Sequence, residues 1–217
     1  MNMRHIGKAI APQKEASIKV TGKAIYTHDF ELPGMLWGAM LRSPHPSARI
    51  VAIDTSSACS MPGVAAIITG ADADVRYLHM SPRYADRYPF ARDVVRFVGE
   101  EVAAVAADTL EHALSAVAAI VVTYEVLDPI FETRDAMASG APVIHQREGL
   151  PPNVAQHTMA EWGDTISGFT NAAHTVEGTY SHGTIAPVCM ETNGVVATYD
   201  HALDRIDVWA GTQSPFF

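Results

Sequence analysis

The side chains that could carry out chemistry are few and scattered. Ten histidines occur among the 217 residues, but none lie at an HxH or HExxH spacing that would hold a metal ion. Cys59 and Cys189 form no CxxC motif, so a disulfide framework, a cysteine-based zinc site and an iron–sulfur cluster are all unsupported, and we expect both thiols to be buried. No GxSxG motif or glycine-rich phosphate loop is present. The chain is therefore predicted to hold no catalytic residue and no metal ligand of its own.

Two polar side chains near the end of the sequence stand in short motifs. Gln213 ends a Gly-Thr-Gln run, and Glu191 lies within Met-Glu-Thr. A lone glutamine at a strand end usually bonds to backbone groups, although its neutral amide can also donate a hydrogen bond without adding charge. Glu191 could be a catalytic carboxylate, but we favour a buried, paired and structural glutamate.

Composition narrows the possible partners. The net charge is −9 and 18% of the residues are charged, without a basic run, so neither nucleic acid nor an anionic membrane is an expected partner. No stretch approaches 18 apolar residues, and the N-terminal apolar patch is too short for a secretion signal. We therefore expect a cytoplasmic protein.

One stretch interleaves aromatic and basic side chains, as single-strand nucleic-acid binders do. Acidic neighbours neutralise it, so we favour a surface loop that docks onto a neighbouring domain. The residues are Tyr84, Tyr88, Phe90 and Phe97, with Arg83, Arg87, Arg92 and Arg96, and the acids Asp86, Asp93, Glu100 and Glu101.

The elements that must position these side chains follow from apolar periodicity and turn residues. One clear helix begins near Asp108, where Glu111 completes a capping-box-like pair, and Asp54 can cap a helical turn over residues 55–60. A long loop covers 71–93. Strands are predicted over 35–42, 50–53, 64–69, 94–97, 102–107, 121–126, 172–180, 195–199 and 205–210, the last two joined by a polar turn.

Glycine and proline cluster between residues 140 and 153, which predicts a linker. The predicted organisation is a leader over residues 1–17, a domain over 18–139, a linker over 140–157 and a mostly β segment over 158–217. The leader is either disordered or extended against a partner. The fold class is α+β.

Several short motifs, in order along the chain, resemble the molybdenum-binding large subunits of the xanthine dehydrogenase/aldehyde oxidase family. The run from Gly22 to Tyr26 is followed by Asp29 and by Pro33–Leu36 and Leu41–His45. The similarity continues through 48–50, 53–54, 62–64, 69–70, 95–100 and 121–125. It implies an α/β hammerhead domain at the N-terminal end of such a subunit.

A second block is similar to the first strands of the family's molybdopterin-binding region. It comprises 163–164, Phe169, Ala173, 176–177, 190–192, Trp209 and 211–213. Two positions depart from the family pattern: Glu101 stands where proline is usual, and Pro187 where histidine is frequent. The family's glycine-rich cofactor motif and its late Gly-x-Gly-Glu-type motif, which carries the catalytic base, do not occur in the 217 residues.

The resemblance implies part of a molybdenum-dependent hydroxylase that oxidatively hydroxylates an aldehyde, a purine or an N-heteroaromatic substrate. It implies a molybdopterin cofactor, in the cytosine dinucleotide form, shared with a remaining molybdenum-binding segment or subunit. Iron–sulfur and flavin centres are expected in other subunits, not in this chain. Gln213 lies at the family position of an amide beside the molybdenum, so it is the predicted cofactor-binding residue.

The resemblance also implies a chain that is inactive alone. A non-catalytic interaction module, or a truncated gene product that retains the hammerhead fold, is the alternative. An independent hydrolase is a third class with little support. The motifs do not indicate which substrate, electron acceptor or oligomeric state the protein has.

Overall fold

The computed structural model describes residues 15–73, 75, 87–147, 149–183 and 185–212. The described residues form two compact units, one of residues 33–179 and one that joins residues 15–32 with 180–212. Residues 18–32 thus belong to the same unit as 180–212, whereas the sequence grouped them with 33–139. The predicted domain bounds stay a prediction.

Two three-stranded antiparallel sheets build the unit of residues 33–179. The strands are β1 Trp37–Arg42, β2 Ala48–Asp54, β3 Val64–Thr69, β4 Val94–Val95, β5 Glu101–Ala107 and β6 Val121–Val126. The first sheet has the order β1-β5-β3, and the second has the order β4-β2-β6. The strands predicted over 35–126 are confirmed, and those over 64–69 and 121–126 have the predicted bounds.

A helix of small residues covers the first sheet. That helix is α3, Leu110–Ala119. Two shorter helices of the same unit are α2, Ser56–Cys59, and α4, Thr133–Ala136. Ala113 and Ala116 of α3 are fully buried, and Ala116 packs with Val105 of β5 and with Ala58 of α2. Alanine side chains at this interface allow helix and sheet to approach closely, and they place most of the core around β5.

The start of α3 differs from the prediction. Thr109 is the cap residue: its backbone is extended, and its side chain accepts a hydrogen bond from His112 N at 3.1 Å. The Asp108 carboxylate instead lies 2.6 Å from His112 Nδ1. The capping pair of Asp108 with Glu111 was therefore wrong, because the cap lies one residue later.

Asp54 has its predicted role at the start of α2. Its Oδ1 accepts hydrogen bonds from Ser56 N at 2.9 Å and Ser56 Oγ at 2.6 Å. These two bonds hold the pKa of the Asp54 carboxyl below its usual value, and the bond from the Ser56 hydroxyl has the larger effect.

The segment between residues 158 and 194, before the last two strands, contains a helix that was not predicted. Helix α5 spans Thr165–Thr170, and Asp164 caps it by accepting from Ser167 N at 2.9 Å. The strand predicted over 172–180 was wrong: these residues are irregular and exposed. β-branched residues favour a strand only when a neighbouring strand packs beside them.

The second unit contains a β-hairpin, with α1 Ala16–Val20 and a single 3-10 turn, Thr27–Asp29, from the earlier part of the chain. Strands β7 Val195–Asp200 and β8 Arg205–Ala210 pair antiparallel, with Val195 opposite Ala210. The polar turn between them is confirmed, and Asp204 adopts a φ of 48° there.

Both cysteines are exposed, so the prediction of buried thiols was wrong. Cys59 ends α2, whose buried side chain is Ala58, and Cys189 lies in an irregular segment before the hairpin. Within the described parts of the chain, no helix is long and apolar enough to cross a membrane.

Asn153 orders the segment that the sequence predicted as a linker. Its Oδ1 accepts hydrogen bonds from Ile144 N at 2.8 Å and His145 N at 3.1 Å. Its Nδ2 donates to Ala136 O and Pro142 O, both at 2.9 Å. The backbone of Asn153 adopts a φ of 61°, which asparagine tolerates better than most residues. One amide side chain thus uses all of its hydrogen-bonding capacity to close this loop.

We expect Asn153→Asp to lower the free energy of unfolding by about 1–3 kcal/mol, because the carboxylate keeps both acceptor bonds but leaves two carbonyls without a donor. Urea denaturation of the full chain measures the change. Asn171→Asp is the control, since Asn171 donates one exposed bond, to Ser167 O at 2.9 Å, and we expect a smaller loss there. Equal losses in the two variants would contradict the role of Asn153.

Candidate functional site

A groove of about 1100 Å³ lies within the unit formed by residues 15–32 and 180–212. The 3-10 turn Thr27–Asp29, the Met-Glu-Thr motif at 190–192 and the end of β8 meet there. Thr27 and Glu191, which are 164 residues apart in sequence, are thereby brought together.

Thr27 contacts both ends of the hairpin. A Cβ atom added to Gly194, just before β7, would lie 3.1 Å from Thr27 Cγ2, and one added to Gly211, just after β8, would lie 3.4 Å from Thr27 Oγ1. Gly211 N also donates to Gly194 O at 3.3 Å. Glycine at both positions therefore lets the threonine side chain pack against the base of the hairpin.

Glu191 contacts the same place. Its Oε1 accepts a hydrogen bond from Thr27 N at 3.4 Å, and a Cβ atom added to Gly211 would lie 3.2 Å from that oxygen. Glu191 is exposed, so the predicted burial was wrong. Its pairing is with a backbone N–H group rather than with a basic side chain.

Two further contacts hold the turn that carries Thr27. Tyr26 N donates to Asp29 Oδ2 at 2.9 Å, and Asp29 N donates to Tyr26 O at 2.9 Å, so the turn is closed from both sides. The Phe30 ring lies 5.6 Å from the Trp209 ring, at an interplanar angle of 37°. An aromatic pair of this kind fixes the turn to β8 at about 0.5–1.5 kcal/mol beyond its buried area.

The charges near the groove are mostly paired. Lys19 Nζ lies 2.9 Å from Glu15 Oε2 within α1, and both side chains are exposed. The hydrogen bond and charge of Glu15 raise the pKa of Lys19, with weaker contributions from Tyr26 and Glu191. Across the described ranges, no cluster of histidine, cysteine or acidic residues could hold a metal ion. The described groove can anchor a strand end and offer a carboxylate, but it assembles no nucleophile with a base.

The predicted cofactor-binding residue, Gln213, lies outside the described residues. The described chain reaches Thr212, which lines the groove together with Pro187 and Cys189. Sequence analysis did not select Thr27. The pattern that could have pointed to it is the pair of glycines that flank the hairpin, Gly194 and Gly211.

The interleaved aromatic and basic stretch is partly described. Arg83, Tyr84 and Asp86 lie outside the described residues. The Arg87 guanidinium lies 5.7 Å from the Phe97 ring centre, and that of Arg92 lies 5.4 Å from the ring of Tyr88. These arginines therefore stack on rings of the same chain, and the docking role of the loop stays a prediction.

We expect Gly211→Ala to loosen the site, because the new methyl group would lie 3.2 Å from Glu191 Oε1 and displace the acceptor of the Thr27 N–H. Hydrogen exchange at the Thr27 amide should become several-fold faster in the full chain. Gly168→Ala in α5 is the control, since a Cβ atom there meets no atom within 4 Å. Unchanged exchange in Gly211→Ala would contradict this packing.

Comparison with known proteins identifies the sequence blocks. Residues 21–128 match the family model described as "Aldehyde oxidase and xanthine dehydrogenase, a/b hammerhead domain". Residues 145–217 match the model described as "Molybdopterin cofactor-binding domain". The two matches follow one another in the order that the sequence motifs predicted.

Curated relatives are similar over nearly all of the chain. The nicotine 6-hydroxylase large subunit of Paenarthrobacter nicotinovorans is 35% identical over 219 residues, which cover 98% of this chain and 26% of the relative. The carbon monoxide dehydrogenase large chain of Afipia carboxidovorans is 32% identical over 209 residues, covering 89% of this chain and 26% of the relative. The chain thus spans about a quarter of the length of these relatives.

Solved structures agree with this similarity. Quinoline 2-oxidoreductase from Pseudomonas putida 86 superposes with a TM-score of 0.76 at 31% identity, over 94% of this chain and 26% of that chain. The aldehyde oxidoreductase from Desulfovibrio gigas gives a TM-score of 0.78 at 30% identity, over 92% of this chain and 23% of that chain.

Proposed function

The chain belongs to the aldehyde oxidase and xanthine dehydrogenase family, and we propose that it supplies the first part of the large subunit of a molybdenum-dependent hydroxylase. The predicted family and α+β fold class are confirmed: a hammerhead domain is followed by the start of a molybdopterin-binding domain. The ordered match of both family models along this one chain is the observation that carries the proposal.

The relatives support a reaction class for this chain, but their substrates differ from one another. The relatives hydroxylate nicotine or oxidise carbon monoxide, and the superposed structures act on quinoline or aldehydes, by their names. We propose an oxidative hydroxylation of an aldehyde, a purine or an N-heteroaromatic compound in the cytoplasm. The cofactor supplies the two-electron oxidation when it is bound, and the protein's part is to bind and orient it.

Further large-subunit sequence is part of the proposal, in this polypeptide or in another. The chain spans about a quarter of the curated relatives' length. The hairpin exposes Val195, Ile206 and Val208 by more than half of their surface, and a two-stranded hairpin is marginally stable by itself. We propose that the remaining molybdenum-binding segment covers this surface, and that iron–sulfur and flavin subunits carry the electrons away.

The chain's own contribution to the cofactor is Gln213, next to the anchored strand end. The sequence supports this role because a neutral amide, which suits a position beside a molybdenum ligand, follows directly after Gly211 and Thr212. The amide of Gln213 would donate a hydrogen bond to a molybdenum ligand without adding charge. We propose the cytosine dinucleotide form of the cofactor, and we propose no catalytic base in this chain.

We expect Gln213→Ala to leave the chain folded and to reduce kcat of the assembled enzyme about 100-fold, as loss of one preorganised donor does. The chain is co-expressed with the polypeptides of its neighbouring genes, and turnover and molybdenum content are measured on the purified complex. Gln156→Ala, which removes an exposed glutamine of the unit of residues 33–179, is the control.

Two results would contradict the proposal at different points. A stable complex without molybdenum would reject the hydroxylase role and favour the alternative, a non-catalytic interaction module. A complex that binds molybdenum and turns over equally well with Gln213→Ala would reject the role of Gln213 alone.

A further inference from the structure

We infer that Glu191 and Thr27 are positioning residues, which together set the direction of the strand end that leads to Gln213. The inference rests on the proposed function. Its evidence is the single junction where the Glu191 carboxylate, the Thr27 side chain and the Gly211 backbone meet. No role in the reaction follows for either residue from its chemistry alone.

The junction lies close to the amide along the chain. Only Thr212 separates Gly211 from Gln213 in the sequence. The main chain around Gly211 is held on one side by Gly194 O and on another by Thr27 and Glu191. A displacement of this strand end would therefore change the direction in which the chain leaves Gly211.

Glu191 acts through an oxygen that accepts a hydrogen bond rather than through its charge. Its hydrogen bond comes from a backbone N–H, and its charge has only a weak effect on Lys19 because the carboxylate is exposed to water. A glutamine keeps the same length and an equivalent carbonyl oxygen. This separates a positioning residue from a catalytic carboxylate, because a catalytic base would lose its function on conversion to an amide.

Thr27 acts from a different part of the chain. Its backbone N–H is the donor to Glu191, while its side chain fills the space that Gly194 and Gly211 leave open. The closed turn between Tyr26 and Asp29 keeps the N–H and the side chain in one orientation. The two positioning residues are therefore coupled through one short segment.

The first test uses the full chain without cofactor. Hydrogen exchange at the Thr27 amide is measured in Glu191→Ala, Glu191→Gln and Glu177→Ala, the last at an exposed glutamate of the unit of residues 33–179. Loss of one hydrogen bond of about 1 kcal/mol should speed exchange roughly fivefold in Glu191→Ala. Glu191→Gln and Glu177→Ala should exchange as the unchanged chain does. Equal exchange in all variants would overturn the inference.

The second test uses the assembled, molybdenum-loaded complex. Glu191→Ala should lower kcat by on the order of 10-fold to 100-fold at a nearly constant KM, and should alter the Mo(V) electron paramagnetic resonance spectrum, because a misplaced donor changes the surroundings of the metal. Glu191→Gln should restore both. If Glu191→Gln is as impaired as Glu191→Ala, the carboxylate charge matters and positioning is rejected.

The outcomes separate this inference from the proposed function. If Gln213→Ala lowers kcat but Glu191→Ala leaves kcat and the Mo(V) spectrum unchanged, the positioning inference fails and the proposed function stands. If the complex contains no molybdenum, the proposed function fails and the role of these residues in a hydroxylase falls with it. A purely structural loss is recognised by equal falls in molybdenum content and in kcat, and it also overturns the inference.

Discussion

The contact between Thr27 and Glu191 joins positions 164 residues apart, and the candidate site depends on it. Its geometry requires little bulk on the facing backbone, since a Cβ atom would lie 3.1 Å from Thr27 at Gly194 and 3.2 Å from Glu191 at Gly211. The aromatic pair of Phe30 with Trp209 then adds buried surface beside it. The hairpin, the turn and the groove therefore all depend on the space that the two glycines leave for Thr27 and Glu191.

The residues 33–179 follow a different physical rule, in which small side chains allow layers to approach. Ala103, Val105 and Ala107 of β5 lie beneath α3 and are almost fully buried. Polar contacts hold the segments that have no such core. The Asn153 side chain, for example, closes a loop that is otherwise irregular. Packing and hydrogen bonding therefore divide the unit between its sheets and its connections.

Apolar runs and turn residues predicted the strands whose ends are set by the local sequence. Strands 64–69 and 121–126 were bounded correctly because Pro62-Gly63 and Asp128-Pro129 end their neighbouring segments sharply. Predictions of exact position and of burial were wrong. The helix cap is Thr109, one residue after the predicted Asp108, and Glu191 and Cys189 are exposed. Burial depends on which distant segments cover a residue, and no periodicity records that. Thr27 was missed for the same reason, since its partners are far away in the sequence.

The unit that combines residues 15–32 with 180–212 has a consequence for synthesis of the chain. Its earlier half leaves the ribosome long before its later half exists, and at 5–20 residues per second the 164 residues between Thr27 and Glu191 correspond to a delay of roughly 10 to 30 s. The intervening residues 33–179 have a core of their own and can fold during that delay. The earlier segment must meanwhile keep Ile25, Tyr26 and Phe30 from other apolar surfaces. Chaperones that bind exposed apolar segments have their longest opportunity at this stage, before the hairpin has emerged.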